Sequence, residues 1–242
     1  MTALRLDRDG PVLRVTLARP ERRNAFDDEL IRELTEAFAE VGDARVVVLT
    51  GEGTSFCAGA DVEWQRSAID VSFDENVEDA MRLYRMLEIV DSCPAPVVAQ
   101  VQGYALGGGC GLVCCTDVAI AAEDAVFGFS EVKLGIIPAV ISPFVFRRIG
   151  TAAARRYFLT GQRFDAQTAL RVGLVQEIDG NLDAVVAELL TSGPEATRAA
   201  KQLIRDRPEP DELARIAARL RASPEGQEGL RAFLDKRRAN WI

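Results

Sequence analysis

Two segments of this chain carry the residue types most able to do chemistry. They are Ser55-Phe56-Cys57-Ala58-Gly59-Ala60-Asp61 and Gly103-Tyr104-Ala105-Leu106-Gly107-Gly108-Gly109-Cys110-Gly111. In each, small residues stand where a loop gives way to a helix. Backbone N–H groups are free there, and no bulky side chain bars a ligand from them. Two such groups converging on one point make an oxyanion hole, which suits a reaction that builds negative charge on a carbonyl oxygen.

The rest of the composition narrows the chemistry. The chain has 0 His, so Ser-His-Asp and Cys-His schemes are impossible within it. Proton transfer near neutral pH falls to a perturbed carboxylate, Lys, Tyr or Cys. The Cys count is 5 (Cys57, Cys93, Cys110, Cys114 and Cys115), an odd number without CxxC spacing. These read as buried small hydrophobes, with no disulfide framework, no metal site and no cofactor expected.

A length of 242 residues with 48% hydrophobic and 27% charged residues suits one large domain, or a core with an appendage. The net charge of −8 argues against nucleic-acid or anionic-membrane partners. Charges interrupt every apolar stretch before it is long enough to span a bilayer. The start, Met-Thr-Ala-Leu-Arg-Leu-Asp, lacks the apolar core of a signal peptide, so a cytoplasmic location is expected. Arg19, Arg22 and Arg23 cluster, as do Lys236, Arg237 and Arg238. Each cluster is either solvated surface charge or a local pocket for a phosphorylated ligand.

The elements that must position these residues follow from periodicity. Leu4, Leu6 and 12–17 flank Asp9-Gly10 and read as a hairpin. A helix starting at Asp27 or Asp28 carries Ile31, Leu34 and Phe38 on one face. Val46–Leu49, Val97–Val101 and Asp117–Ala122 read as strands. A helix over 74–91 shows the apolar stripe Val77, Met81, Tyr84, Leu87 and Val90, and stops before Pro94 and Pro96. The Gly107-Gly108-Gly109 run opens a helix. Further helices are predicted at 141–149, 152–159 and 165–172, with a strand near Val175. From Leu182 onward only helices are expected, broken at Gly193-Pro194, Arg207-Pro208 and Ser223-Pro224. The mixture indicates an α/β fold with a helical tail.

Four motifs carry a family resemblance: Arg19-Pro-x-x-x-Asn24-Ala25, Phe56-x-Ala58-Gly59-x-Asp61, Gly103-x-x-x-Gly107-Gly108-Gly109 and Glu131-x-x-x-Gly135-x-x-Pro138. In this order and spacing the chain resembles the enoyl-CoA hydratase/isomerase (crotonase) family. Three further segments, 111–117, 130–143 and 223–236, resemble bacterial 3-methylglutaconyl-CoA and isohexenylglutaconyl-CoA hydratases. The resemblance implies a crotonase spiral of ββα turns over residues 1–190, holding an acyl-CoA site. A helical assembly region over 191–242 is implied after it, with a homotrimer or dimer of trimers.

The resemblance also assigns roles. The thioester oxygen is expected between the N–H groups of Ala58 and Gly108, each contributing about 3–4 kcal/mol to an enolate. Glu131 matches the glutamate that delivers a proton to C2. Its apolar neighbours Val126, Phe127, Phe129, Val132 and Leu134 should raise its pKa by desolvation. The family's other glutamate, which activates water, is replaced by Gly111. Glu131 acting alone, Asp61 or Glu63 taking over, and a one-base isomerase are the alternatives. The binding set implied is Arg22, Arg23, Ala25, Ala58, Gly59, Ala60, Asp61, Gly108 and Gly111, with Phe233 and Lys236 reaching the CoA of a neighbouring subunit. Asn24 and Asp117 are expected to be structural.

The activity expected is hydration of a 2-enoyl-CoA, with 3-methylglutaconyl-CoA as the leading substrate. That substrate's distal carboxylate would call for an Arg or Lys in the pocket. The competing readings are a 3-enoyl-CoA isomerase with Glu131 as sole base, and a non-catalytic acyl-CoA-binding relative.

Overall fold

Asp9-Gly10 turns the chain back on itself, as the sequence predicts. In the computed structural model of the protein, which describes residues 2–67 and 69–242, β1 (Leu4–Asp9) and β2 (Val12–Leu17) pair antiparallel, with Asp9 opposite Val12. Helix α1 (Asp28–Ala39) follows, its first turn capped by Asp27, which accepts from the Leu30 amide at 2.9 Å. Its Ile31, Leu34 and Phe38 face is buried. Next come β3 (Val46–Gly51), the short α2 (Val62–Ser67) and α3 (Phe73–Asp91). A reciprocal capping box between Ser72 and Glu75 opens α3.

The second stretch holds β4 (Val97–Val101), β5 (Tyr104–Leu106), α4 (Gly108–Cys114), β6 (Val118–Ala121) and β7 (Val126–Gly128). It continues through α5 (Ser142–Thr160), β8 (Phe164–Asp165), α6 (Ala166–Arg171) and β9 (Glu177–Ile178). Four helices close the chain: α7 (Leu182–Thr191), α8 (Pro194–Asp206), α9 (Pro210–Ala222) and α10 (Pro224–Leu234).

The main sheet runs β1-β2-β3-β4-β6-β9 and is parallel from β2 onward. A parallel sheet is buried on both faces, so its strands read as unbroken apolar runs. Alternation still sorts them. Val47, Leu49, Val97 and Ala99 enter the large core with α1 and α3. Val46, Val48 and Val98 point the other way, against Val186 of α7. A second sheet, β5-β7-β8, stands apart, and β5 lies in the loop that leads to α4.

Several details differ from the sequence expectations. The segments at 141–149 and 152–159 form one stretch, α5, broken at Gly150, whose φ of +72° and ψ of 164° are not helical. The strand expected near Val175 lies at Glu177–Ile178. On α3 only the C-terminal part of the predicted stripe is buried. Val77 and Met81 are exposed and face away from the cleft that Asn76, Asp79, Ala80 and Leu83 of the same helix line. Asp117 ties the tail to the sheet, accepting from the Val97 amide at 2.7 Å and from Lys201 Nζ of α8 at 2.7 Å.

Candidate active site

The two glycine-rich loops are stapled side by side. Cys57 N donates to Tyr104 O at 3.0 Å, and Leu106 N donates back to Cys57 O at 3.0 Å. The approach is so close that a Cβ on Gly109 would stand 2.3 Å from Cys57 O. Gly59 sits at φ +92°, with its α-carbon facing Leu106 O. Only glycine meets both demands. Cys57 itself is buried, which pushes its thiol up to about 12 and leaves it no thiolate character at neutral pH.

Asn24 holds the first loop from below. At φ +54° and fully buried, its Oδ1 accepts from Arg19 N at 2.8 Å, and its Nδ2 donates to Glu52 O at 2.9 Å and Ser55 O at 2.8 Å. Asn24→Ala therefore leaves the buried Ser55 carbonyl and two part-buried backbone groups, Arg19 N and Glu52 O, without these partners. A loss of about 3 kcal/mol in urea unfolding is expected, with acyl-CoA affinity falling as the 55–60 loop loosens. An unchanged unfolding midpoint would remove Asn24 from this role.

The placement of free N–H groups corrects one expectation. The Ala58 amide is not free: it donates to Arg23 O at 3.0 Å. Two residues on, Phe26 N donates to Gly59 O and Asp61 N donates to Phe26 O. The Ala60 amide between them meets no acceptor among the described residues and borders the cleft. Across the cleft, Gly108 is the first residue of α4, so its N–H has no partner within the helix. The pair of amides the loops offer is Ala60 with Gly108. The motif alone could not separate Ala58 from Ala60, because the distinction rests on a backbone bond to a residue 35 positions earlier.

Both amides border a cleft of about 360 Å³, walled by Phe26, Trp64, Leu83 and the run from Ile136 to Ile141. Glu131, half-buried at the start of a 3-10 turn, enters it beside the second loop. A Cβ on Gly107 would lie 2.9 Å from Glu131 Oε1, so the bare glycine lets the carboxyl group approach. Glu131 Oε2 is buried without a hydrogen-bond partner among the described residues. Burial raises the pKa of this carboxyl group above its ordinary value, as its apolar sequence neighbours foretold.

Gly111 does not line the cleft. A Cβ there would stand 2.5 Å from Ile141 Cγ2 and 3.7 Å from Leu87 Cδ1, so apolar packing occupies the place of a second glutamate. Gly111→Glu is expected to cost more than about 2 kcal/mol by overpacking, read as a lowered melting temperature, and to add no turnover. A stable, faster variant would show that Ile141 yields.

The other acids weighed from sequence are elsewhere. Asp61 is buried, accepting from Glu63 N at 2.8 Å, with Arg19 Nη2 at 3.5 Å from its Oδ2. Glu63 is paired with Arg66 at 2.8 Å. Neither lines the cleft; Asp79 of α3 does, and no sequence motif marks it. Arg22 and Arg23 are exposed outside the cleft, and the Arg23 guanidinium lies 5.5 Å from the Tyr104 ring centre. Ala25 is buried, its carbonyl accepting from Arg19 at 2.6 Å. Phe233, at 80% exposure, and Lys236 lie at the end of the tail and do not reach this chain's own cleft. Among the described residues no cluster of His, Cys, Asp and Glu suits a metal ion, and no helix is long and apolar enough to cross a membrane.

Two free amides and a desolvated carboxyl group thus border one cleft. The sequence model of the enoyl-CoA hydratase/isomerase family matches residues 7–242, and the chain belongs to that family. It is similar to the crystal structure of an enoyl-CoA hydratase from Shewanella pealeana, at 41% identity and TM-score 0.92, covering 99% of this chain and 96% of that one. It is similar to AtuE of Pseudomonas aeruginosa at 39% identity and TM-score 0.94, covering 99% of each chain. The 2,3-dehydroadipyl-CoA hydratase of Escherichia coli K12 is 34% identical over 253 residues, spanning 98% of this chain and 97% of that protein.

Proposed function

We propose that this protein adds water across the C2=C3 bond of a 2-enoyl-CoA, with Glu131 as the proton-transfer group and the Ala60 and Gly108 amides binding the thioester oxygen. The observation that carries the reading is the unpartnered, desolvated Glu131 carboxyl group in the same cleft as two free amides. In this scheme ionised Glu131 takes a proton from water while the oxygen bonds to C3. The C2=C3 electron pair moves toward the thioester, and the oxygen becomes an enolate held by the two N–H groups. Protonated Glu131 then returns its proton to C2. The carboxylate is regenerated, and the sum is one water added. A raised pKa brings the group closer to the operating pH, which favours both transfers.

A one-base isomerase, moving a proton between C4 and C2, is the second reading. Ile141 filling the space beside Gly111 favours it, because a single carboxyl group suffices. The acyl end is not fixed by either scheme. A dicarboxylic chain such as 3-methylglutaconyl-CoA keeps the support of the dehydroadipyl name of one relative. It also demands a cation, and none of the described residues lining the cleft is Arg or Lys. Association through the exposed apolar residues of the tail, among them Phe233 and Leu234, into a trimer or dimer of trimers belongs to the same proposal.

Turnover on crotonyl-CoA, 3-methylglutaconyl-CoA and a 3-enoyl-CoA, with products resolved by mass, is the test. A product one water heavier from a 2-enoyl-CoA supports hydration. A 2-enoyl product of unchanged mass from the 3-enoyl-CoA alone replaces it with isomerisation. No turnover of any thioester leaves a binding protein.

A further inference from the structure

Only two charged side chains line the acyl cleft among the described residues, Glu131 and Asp79, and both are carboxyl groups. Asp79 stands on α3 beside Asn76, Ala80 and Leu83, the residues this helix turns toward the cleft. It is too far along the helix to replace the missing second glutamate. Leu87 is the α3 residue that meets Gly111, and Asp79 lies two turns before it, about 12 Å along the axis. A negative group nonetheless stands in this wall, with its side chain 30% exposed.

Its charge is held but not cancelled. Arg82, one turn on, pairs with Asp79 and also reaches Asp28 Oδ1 of α1 at 3.1 Å. One guanidinium serves two carboxylates, so the three groups carry a net charge of about −1 at neutral pH. Arg82 itself does not line the cleft. A ligand carboxylate entering the cleft would meet Asp79 first.

We propose that Asp79 makes this cleft select against a second, remote carboxylate, so that the substrates are thioesters of uncharged acyl chains. The proposal rests on the acyl-CoA reading above. It departs from the branched dicarboxylic substrate the sequence resemblance favoured. The physical basis is like-charge repulsion at the cleft wall. There two charges several ångströms apart interact strongly enough to matter at the scale of tenfold in affinity.

The experiment measures binding of two saturated thioesters, butyryl-CoA and glutaryl-CoA, by isothermal titration calorimetry. Neither requires turnover, so the result is independent of whether the enzyme hydrates or isomerises. Wild type is expected to bind butyryl-CoA on the order of tenfold more tightly than glutaryl-CoA. Asp79→Asn should bring the ratio of the two dissociation constants close to one. Arg82→Gln, which removes the compensating charge from outside the cleft, should move the ratio further toward butyryl-CoA. Equal or tighter binding of glutaryl-CoA by wild type overturns the proposal. So does a ratio that ignores both substitutions. Failure of both thioesters to bind would overturn the acyl-CoA reading together with this one.

Discussion

Glu131→Gln is expected to lower turnover of a 2-enoyl-CoA by about 10²–10⁴-fold, with a much smaller change in KM. Gln keeps the size and the hydrogen-bonding edge of the side chain but cannot take up or release the proton. The cleft, the two amides and the apolar walls are untouched, so binding of the ground state should persist. Product mass must be followed along with rate, because loss of both hydration and isomerisation is the outcome that places Glu131 in the proton path. Retention of more than about a tenth of wild-type turnover would remove it from that path.

The same substitution has a stability signature of opposite sign. Burial raises the Glu131 pKa, so the folded chain keeps this proton to a higher pH than the unfolded chain does. Above the folded-state pKa the desolvated charge is a cost to folding. Below the unfolded-state value the cost disappears. Glu131→Gln should therefore melt at a higher temperature than wild type at neutral pH, by about 2 °C or more, and the gap should close as pH falls toward the ordinary carboxylate range. In wild type the acid limb of kcat/KM should lie above that range, because the group must be ionised to accept a proton from water.

Much of the frame was readable because its signals are local. Asp9-Gly10 between two apolar runs can be little other than a hairpin. Val46–Leu49 and Val97–Val101 are unbroken apolar runs because both faces of the parallel sheet are covered. The Glu131 environment was legible for the same reason, since its apolar neighbours lie beside it in sequence. The strands β5 and β7, of 3 residues each, are too short to show a period. Other features depend on distant partners. Ala58 is excluded as a donor by Arg23 O, and Gly111 is closed off by Ile141, 30 positions later. Asp79 sits inside a helix whose apolar stripe read as ordinary core. Only the fold reveals that Asn76, Asp79, Ala80 and Leu83 of α3 wall a cleft and that Val77 and Met81 of its predicted stripe are exposed.

The assignment of the oxyanion donors carries the other large effect. Gly108→Pro removes one N–H at the first position of α4, where a helix tolerates proline and no intrahelical bond is lost. Its Cβ must displace the Phe26 ring, 3.1 Å from that point, by a few tenths of an ångström. A fall in kcat of about 10²–10³-fold is expected. On the other loop, Ala60 and Ala58 separate by their partners. Ala60→Pro removes an amide that holds nothing in the fold, so turnover should fall by a similar factor, about 10²-fold or more. Its melting temperature should stay near that of wild type. Ala58→Pro breaks the bond to Arg23 O and should lower the melting temperature instead, because that bond ties the 55–60 loop to the turn after Pro20. Acetoacetyl-CoA, whose enolate resembles the charged intermediate, supplies the control. Its affinity should drop in Gly108→Pro and Ala60→Pro far more than that of butyryl-CoA, since the lost donors act on developed negative charge. Equal losses for the two ligands would mean that the amides bind the ground state only. The enolate would then have to be stabilised by something other than these two N–H groups.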